Sequence, residues 1–458
     1  MKIVVCIRQG LDGEISPFDA CAYEEALKIP EAEITLVSMG PASVQSFLSK
    51  LTRLGAKDTV LLCDKAFAGA DTLATAVTLS KALEKLSADF VFCGRQTLIG
   101  DTGQTPPMIA EFLNFRLIPN VMKIVPTCED TLLCTTRTGE TFSGQRGTLI
   151  TVEKINTLRL PRLRSKEATV TLWDAQTLGL TPDGCGLKGS PTRVLRSFEN
   201  QSGKRKCQFI TKEELPEVIK AALKNTAKTI AAKETPEKAN LPNVMVVGQA
   251  PMTLAKTVSN DITCVELSDA DTLTALIEKE KPTAVIWGSD VKSKELAARV
   301  AARLHLGLCA DCTQLENENG ELMMYRPALS GSVIAKIKSL TKPSMCTVRT
   351  EESCCEDIIV ALGYGVKDAI PRAKAFAQSI GGTLASSRKL VDNDYLPYEL
   401  QVGLTGRTVS PPVYIALGIS GAVHHIAGMQ NSGTVIAVNP DKDAPIFEYA
   451  DYGIIDEF

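Results

Sequence analysis

The chain lacks several features that would point at once to a common protein class. It has only three histidines and two tryptophans among 458 residues, and aromatic residues make up 5%. It has no excess of either charge, since 50 Lys and Arg face 53 Asp and Glu, a formal net charge of −3. Such a balance gives no general attraction to nucleic acid or anionic lipid, so we predict neither as a partner. The one basic cluster, 204–206, is interpreted as solvated linker.

Motifs of common enzymes and membrane segments are also missing. The sequence holds no GxSxG, HExxH or Walker pattern. Its most apolar stretch, 413–429, is interrupted by glycines, a serine and two histidines, which is unlike a membrane span. The apolar run at 3–7 is too short for a signal peptide and is typical of a buried strand. We therefore expect a cytoplasmic, multidomain protein without a membrane span.

The fourteen cysteines are scattered along the whole chain. Without a secretory signal they are interpreted as reduced thiols rather than as a disulfide framework. Cys309-x-x-Cys312 and the Cys354-Cys355 pair could suggest a metal ion. With three histidines and no second CxxC at zinc-finger spacing, we predict no metal site.

The order of apolar segments predicts an α/β fold. Short runs rich in Val, Ile and Leu alternate with helix-length segments, which is typical of parallel strands joined by crossover helices. The runs considered are 4–5, 34–37, 60–62, 90–93, 244–247, 284–287 and 413–417. Hydrophobic residues at 44% are sufficient for a buried core.

Two segments of the chain resemble each other. ADFVFCGRQ (88–96) and PTAVIWGSD (282–290) are both interpreted as a strand with glycine at its end, followed by a helix and a short strand. A fusion of two related α/β domains or a coincidental likeness between βαβ units would explain this. We predict domains at 1–198, 242–350 and 351–458, with a linker at 199–241 that contains one helix.

The C-terminal hundred residues carry the strongest indication of a binding site. The segment 397–429 places Gly403 and Gly406 in a loop, then a strand, then the turn from Gly418 to Ala422. Glycines at a strand-to-helix turn let the backbone approach a phosphate, although many such glycines only permit close packing. His424 and His425 follow; one ring could face a ligand, or both could be ordinary hydrogen-bonded histidines. Polar residues beyond later strands would suit an adenosine group.

Long motifs in these regions resemble the electron transfer flavoprotein family. SSRKLVD (386–392), the segment 397–429 and AVNPDKDAPIFEYADYGIIDE (437–457) are similar to the FAD domain of its alpha subunit. ARVAARLHLGLCADC and MYRPALSGSVIAKI resemble the N-terminal domain of that subunit. MKIVVCIRQ, AFAGADTLAT, CGRQTLIGDTGQTPPMIAEFLN and GLKGSPTRV resemble the beta subunit. The resemblance implies a beta-like half fused to an alpha-like half. It also implies three doubly wound, Rossmann-like or adenine nucleotide alpha hydrolase-like parallel-sheet domains, the last of which binds FAD.

The resemblance also implies roles for individual residues. Arg388 matches an arginine near the flavin ring, where its charge would stabilise an anionic reduced flavin. Thr405 matches a residue near flavin N5, and His425 matches one at the O2 edge. Ser420, Gly421 and Ala422 match the diphosphate turn, and Asn439 and Asp456 the adenosine end. The implied FAD residues are Ser387, Arg388, Gln401, Gly403, Thr405, Gly406, Gly418, Ser420, Gly421, Ala422, His425, Asn439 and Asp456.

The beta-like half suggests a second nucleotide, either AMP or a second FAD. Short polar residues open predicted helices or flank a strand end, where backbone N–H groups suit phosphate. The candidates are Asp71, Thr72, Thr75, Gly94, Arg95, Gln96, Gly100, Asp101 and Thr102. The same residues would also serve as N-caps of ordinary helices.

The resemblance implies an electron carrier and assigns no catalytic residue. It would take electrons from a flavin dehydrogenase, of acyl-CoA type, and pass them to a second acceptor. Leu160 and Leu163 could anchor that dehydrogenase, or lie on an amphipathic surface strand. Alternatives are an electron-bifurcating protein with two FADs that oxidises NADH, and a non-redox nucleotide-binding module. The short loop after Gln9 argues against NADH use, and Tyr364 stands where the family usually has arginine.

Overall fold

The computed structural model describes residues 1–10, 12–97, 100–127, 130–153, 158–199, 204–229, 240–329, 333–349, 356–403 and 406–458. The chain forms two compact units. Unit 1 contains Met1–Ser197, Lys238–Leu329 and Ala335–Val348. Unit 2 contains Phe198–Glu237, Ser330–Ile334 and Arg349–Phe458.

Unit 1 begins with a large, mostly parallel sheet and its helices. The elements are β1 (Lys2–Cys6), α1 (Pro17–Leu27), β2 (Glu33–Met39), α2 (Gln45–Thr52), β3 (Asp58–Leu62), α3 (Thr72–Leu86), β4 (Phe90–Gly94), α4 (Thr105–Phe112), β5 (Arg116–Pro126), β6 (Leu132–Thr136), β7 (Thr141–Gly144), β8 (Thr148–Val152) and β9 (Thr171–Trp173). The strand order is β7-β6-β5-β8-β4-β1-β2-β3-β9. Helices cover both faces, which explains why β4 is a continuous apolar run that is buried throughout.

The chain then passes through a strand of unit 1 and into unit 2. The elements of this segment are β10 (Thr192–Glu199), β11 (Gln208–Phe209) and α5 (Leu215–Thr229).

The remainder of unit 1 contains a second parallel sheet and a smaller sheet. The elements are β12 (Val244–Val247), α6 (Met252–Ala255), β13 (Ile262–Val265), α7 (Ala270–Glu280), β14 (Ala284–Trp287), α8 (Val291–Arg303), β15 (Leu308–Cys312), β16 (Gln314–Glu318), β17 (Glu321–Ala328), β18 (Val333–Ser339) and β19 (Ser344–Val348). Their sheet orders are β13-β12-β14-β19-β15 and β10-β18-β17-β16. One apolar core continues from the first sheet to the second, and Glu111 of α4 forms ion pairs with Arg299 and Arg303 of α8.

Unit 2 contains one fully parallel sheet. Its elements after β11 and α5 are β20 (Ile358–Leu362), α9 (Ile370–Ser379), β21 (Thr383–Ser386), α10 (Arg388–Asp392), β22 (Val413–Leu417), α11 (Val423–Ile426), β23 (Thr434–Val438) and β24 (Tyr452–Ile454). The order is β11-β24-β23-β22-β20-β21. The chain moves from β20 to β21 in one direction and from β22 to β24 in the other, so the crevice between β20 and β22 is a topological switch point.

Residues 204–229 add both an edge strand and a helix to unit 2. Strand β11 pairs with β24, and Ile219 and Ala222 of α5 are buried in the apolar core of the unit. Arg205 forms an ion pair with Asp451 and donates to carbonyls of the 430–433 turn. The interpretation of 204–206 as solvated linker is therefore wrong for Arg205, because its guanidinium satisfies acceptors more than 200 residues away.

The predicted α/β class with several parallel sheets is confirmed. All seven apolar runs considered above lie in parallel strands. The domain limits stay predictions; segments 230–239 and 350–355, around two of them, lie outside the described residues. No helix in the described part of the chain has the length and apolar character to span a membrane.

Candidate functional site

The switch point of unit 2 is formed by two glycine-containing loops in backbone contact. Gly363 after β20 donates its N–H to Leu417 O at 2.7 Å, and Gly365 donates to Gly418 O at 3.2 Å. A Cβ on Gly363 would lie 2.0 Å from Gly418 O, so no larger residue fits there. This contact fixes the turn after β22 at the point where open parallel sheets bind ligands.

The turn from Gly418 to Ala422 offers unused backbone donors. The N–H groups of Ser420, Gly421 and Ala422 form no hydrogen bond with any described residue. Gly421 has φ +93°, and a Cβ there would lie 2.2 Å from Ile446 N. Helix α11, which follows, has only four residues, so the binding capacity of this turn comes from its N–H groups rather than from a long helix dipole.

Asn439 supports this turn from the neighbouring strand end. Its buried side-chain amide donates to Ile419 O at 2.9 Å, and its Oδ1 accepts the Asp441 N–H at 3.0 Å. Asn439 therefore lies at the predicted site, where it holds the turn. Asp456 lies beyond β24 and pairs with Lys212 at 2.7 Å. With a strand spacing of about 4.8 Å, β24 is roughly 10 Å from β22 across the sheet, so Asp456 lies two strands away from the 418–422 turn.

Ser387 and Arg388 lie at the end of β21, beside the crevice. The Ser387 N–H donates to Leu362 O at 2.8 Å, and its Oγ is buried without a hydrogen-bond partner. Arg388 begins α10, and its Nε donates to Asp392 Oδ2 at 3.0 Å. A buried hydroxyl without a partner next to a partly exposed guanidinium is an arrangement that a polar ligand would complete.

The loop that contains the other predicted FAD residues returns to the same strand end. Gln401 is buried and bridges to Ser386. Gly403 and Gly406 permit close packing, because a Cβ would lie 2.7 Å from His424 O and 2.2 Å from Gln401 O respectively. Thr405, the predicted flavin N5 residue, lies outside the described residues.

His425 is buried beneath the turn. Its Nε2 lies 2.9 Å from the Tyr414 hydroxyl, and its Nδ1 is buried without a partner of standard hydrogen-bond geometry. Burial lowers the pKa of His425 to about 4, against a smaller opposing effect of the Val402 backbone. The ring is therefore neutral at neutral pH and carries one N–H. Because burial raises the pKa of Tyr414 well above its usual value, its hydroxyl stays protonated and can donate to Nε2.

His424, its neighbour, lies near Arg388. Burial and then the Arg388 charge lower the pKa of His424. Both histidines are thus held neutral, and the positive charge at this part of the site belongs to Arg388.

These features fit an extended dinucleotide such as FAD. The three N–H groups of the 420–422 turn match a diphosphate, and the Ser387 hydroxyl is a buried polar atom without a hydrogen-bond partner. The glycines let the loops that carry these groups pack closely on one another. The structure therefore brings together the predicted residues 387–388, 401–406, 418–422, 425 and 439, as far as they are described, at one edge of the sheet, where β21, β22 and β23 end.

Several residues of the predicted second site lie in the loop after β4, where hydrogen bonds join them to one another. Gln96 Nε2 donates to Asp101 Oδ1 at 2.8 Å, and Gly100 donates to Thr97 Oγ1 at 3.3 Å. Asp101 is buried with φ +52°. Thr102 Oγ1 lies 3.5 Å from the Gln104 N–H, at the start of α4. These residues follow β4, which neighbours β1 at the switch point of the large sheet.

The other predicted residues of that site have structural roles. Asp71 caps α3 through the Ala74 N–H at 3.0 Å, and its second oxygen accepts from Thr192 N and Oγ1. Thr72 and Thr75 lie in the first turns of α3. Gly94 donates to Asp19 Oδ1, and Arg95 forms an ion pair with buried Glu153. Among the described residues, no hydrogen bond joins Asp71 to the loop that begins at Gln96.

Three residues that the sequence reasoning missed lie around this loop. Gln104 is fully buried, and neither atom of its amide has a partner. Arg326, also buried, donates from Nη2 to Asp101 O at 3.0 Å. Asp19 accepts the N–H groups of Arg8 at 2.9 Å and Gly94 at 3.2 Å. Gln104 and Arg326 lie in segments already noted for their motifs, but nothing in the residue pattern indicates the burial of any of the three.

The described part of the chain contains no group of three or more His, Cys, Asp or Glu suited to a metal ion. Cys309 and Cys312 are both buried on β15. Cys354 and Cys355 lie outside the described residues.

Comparison with known proteins agrees with this geometry. A family model described as the electron transfer flavoprotein domain matches residues 3–177 and again 263–356. A model of the electron transfer flavoprotein FAD-binding domain matches residues 355–430. The repeated match supports the predicted likeness of the two halves.

Individual relatives each match about two fifths of the chain. The electron transfer flavoprotein subunit alpha of Thermoanaerobacterium thermosaccharolyticum is 37% identical over 41% of this chain and 70% of its own length. The LctC subunit of an NAD(+)- and ferredoxin-dependent lactate dehydrogenase of Acetobacterium woodii is 38% identical over 41% of this chain and 55% of its own. The acryloyl-CoA reductase electron transfer subunit beta of Anaerotignum propionicum is 34% identical over 40% and 71%. The glycine turn, the FAD-binding match and these relatives together show that the chain belongs to the electron transfer flavoprotein family.

Proposed function

We propose that this protein is a cytoplasmic, FAD-containing electron carrier that accepts electrons from a flavin dehydrogenase and passes them to a second redox partner. The observation that carries the proposal is the turn at 420–422, with three N–H groups that no described residue uses. It lies in the part of the chain that matches an FAD-binding domain. FAD, when bound, supplies the electron-accepting and electron-donating chemistry.

The residues of unit 2 would hold and tune this cofactor. The 420–422 turn binds the diphosphate, and Asn439 keeps the turn in place through Ile419 O. Arg388 adds positive charge beside the crevice, and the neutral His425 contributes one N–H. Since both histidines are held neutral, Arg388 is the residue of this set that stabilises negative charge on the ligand.

We also propose a second nucleotide, AMP or a second FAD, at the 96–104 loop of unit 1. The unpartnered amide of Gln104 and the Arg326 guanidinium support this proposal, because both are buried polar groups with unused donors. Asp71 contributes to it by shaping the start of α3 rather than through its carboxylate, which is already satisfied.

The proposed dehydrogenase partner is of acyl-CoA type. Support comes from a relative whose name places it with acryloyl-CoA reductase. Leu160 and Leu163 are 89% and 101% exposed on a loop that also carries Arg162 and Arg164. Exposed leucines of this kind suit insertion into an apolar pocket of a partner.

A second candidate is an electron-bifurcating protein with two FADs. The relative named as a subunit of an NAD(+)- and ferredoxin-dependent lactate dehydrogenase favours it. The two candidates differ in flavin content, so one measurement separates them.

The test is to release and quantify flavin and adenine nucleotide per chain from freshly purified protein. One FAD and one AMP would support the simple carrier, and two FADs would make bifurcation the better description. A chain that binds no flavin even after incubation with FAD would refute the redox proposal and leave a non-redox nucleotide-binding module.

A second test addresses the charge of Arg388. Arg388→Ala should lower the flavin reduction potential, because a positive charge that favours the reduced anion is lost. Lys374→Ala is the control, since it removes one exposed positive charge from the surface of α9. Equal potentials in wild type and Arg388→Ala would contradict the assigned role.

A further inference from the structure

The segment after β20 and the start of α10 bring together a group of side chains that the roles above do not use. Tyr364 follows Gly363, and its ring centroid lies 4.1 Å from Lys389 Nζ and 5.1 Å from Lys367 Nζ. Tyr395 meets the same ring edge-on, at 6.4 Å between centroids. We call Tyr364, Lys367 and Lys389 the lysine–tyrosine cluster.

Backbone contacts fix this cluster beside the diphosphate turn. The two hydrogen bonds of Gly363 and Gly365 to residues 417 and 418 lie on either side of Tyr364. Lys389 comes from the next strand end and directly follows Arg388. The cluster is therefore built from the ends of β20 and β21 and is held against the end of β22 at the switch point.

The cluster concentrates positive charge without a compensating carboxylate. A lysine ammonium is attracted to the face of a tyrosine ring, but two ammonium groups on one ring repel each other. Neither Lys367 nor Lys389 forms an ion pair with a carboxylate in the described part of the chain. Since Gly363 and Gly365 bond to residues 417 and 418, these charges belong to the same group of strand ends as the three unused N–H groups, which favours an anionic ligand group there.

We propose that Lys367 and Lys389 bind the diphosphate of FAD and that Tyr364 positions them. The inference rests on the proposed function of unit 2 as an FAD site. It also assigns a role to Tyr364: its ring holds two ammonium groups, so positive charge is present at this position although the residue itself is neutral. The lysines act on the diphosphate and leave the flavin ring untouched.

The test measures binding of FAD, and of riboflavin, which lacks both the diphosphate and the adenosine, to flavin-free full-length protein. The variants are Lys367→Met with Lys389→Met, which keep the apolar stems, and Lys374→Met on the outer face of α9 as control. The double variant should bind FAD about 10- to 100-fold more weakly, as for the loss of a charge-assisted hydrogen bond. Its riboflavin affinity should stay within about twofold, and the salt dependence of FAD binding should become weaker.

A further variant separates positioning from folding. Tyr364→Phe keeps the ring and should retain FAD affinity, whereas Tyr364→Ser should weaken FAD binding and spare riboflavin. Equal loss of both ligands in the double lysine variant, or unchanged FAD binding, would overturn the proposal. Wild-type protein that binds riboflavin as tightly as FAD would also overturn it, because the diphosphate would then add nothing to the affinity. Wild-type protein that binds no flavin would instead refute the proposed function itself.

Discussion

The buried carboxyl group of Asp19 should make the stability of unit 1 fall as pH rises toward 7. The carboxyl group is buried between the first and fourth strands and accepts the N–H groups of Arg8 and Gly94. Burial raises the pKa of Asp19 from 3.8 to about 7, against the smaller lowering effects of these N–H groups and of the Arg8 charge. A carboxylic acid in this position is therefore protonated at pH values where an exposed one is ionised.

The sign follows from the protons bound in each state. Below pH 3.8 both the folded and the unfolded chain hold the proton, and the contribution to stability is fully present. Between pH 3.8 and about 7 the unfolded chain releases the proton and the folded chain keeps it, so stability falls as pH rises. At about 1.36 kcal/mol per pH unit, the full loss is roughly 4 kcal/mol, complete once pH exceeds the folded pKa.

The assay compares urea unfolding of wild type and Asp19→Asn at several pH values from about 5 to 8. Both tryptophans of the chain, Trp173 and Trp287, lie in unit 1, so tryptophan fluorescence follows this unit. Asparagine can accept only one of the two N–H groups without conflict, which gives a pH-independent loss of about 1–2 kcal/mol. The variant should lack the downward slope, so the difference between the two proteins should change by roughly 3 kcal/mol between pH 5 and 7.

The control is Asp58→Asn, which removes an exposed carboxylate at the start of the third strand. It should leave the wild-type slope intact. Parallel pH profiles for wild type and Asp19→Asn would show that Asp19 is ionised in the folded protein and would refute this reasoning.

Three further predictions concern other parts of the molecule. Gly421→Ala should weaken FAD binding and destabilise unit 2 by more than Gly381→Ala does. The new Cβ would lie 2.2 Å from a backbone nitrogen at position 421 but would meet nothing within 4 Å at position 381. Both variants share the left-handed backbone cost of about 1–2 kcal/mol, so equal urea midpoints would contradict the steric argument. Arg205→Ala should lower the unfolding free energy of unit 2 by about 3 kcal/mol, since a carboxylate and three carbonyls lose their donor. Urea unfolding followed by far-UV circular dichroism measures this loss, and Lys204→Ala, which removes a surface ion pair, should change little. Leu163→Ser should reduce electron transfer from the dehydrogenase and keep the unfolding free energy within about 0.5 kcal/mol; unchanged transfer would argue against this loop as the docking site.

The parallel strands and the main binding turn could be predicted because they follow from local patterns. Strands buried on both faces are continuous apolar runs, and a glycine turn between strand and helix has few alternatives. The packing of Arg205 against unit 2 could not be predicted, because its carboxylate partner lies 246 residues away. Three consecutive basic residues do not indicate whether they lie in a solvated linker or against a folded unit. For Asp71 the sequence allowed a cap or a ligand-binding residue. The structure shows the cap, through the Ala74 N–H; the second oxygen is satisfied by Thr192, which is too far along the chain to be predicted as a partner.

The covalent path of the chain has a consequence for cutting it. Unit 2 takes its edge strand and one covering helix from residues 208–229, and the chain then completes unit 1 before it returns for the remaining five strands. A break at 230–239 would therefore leave the edge strand β11 of the unit 2 sheet on the N-terminal fragment, and its other five strands on the C-terminal fragment. Two such fragments would be complementary, and each would finish the other's fold when they are produced together.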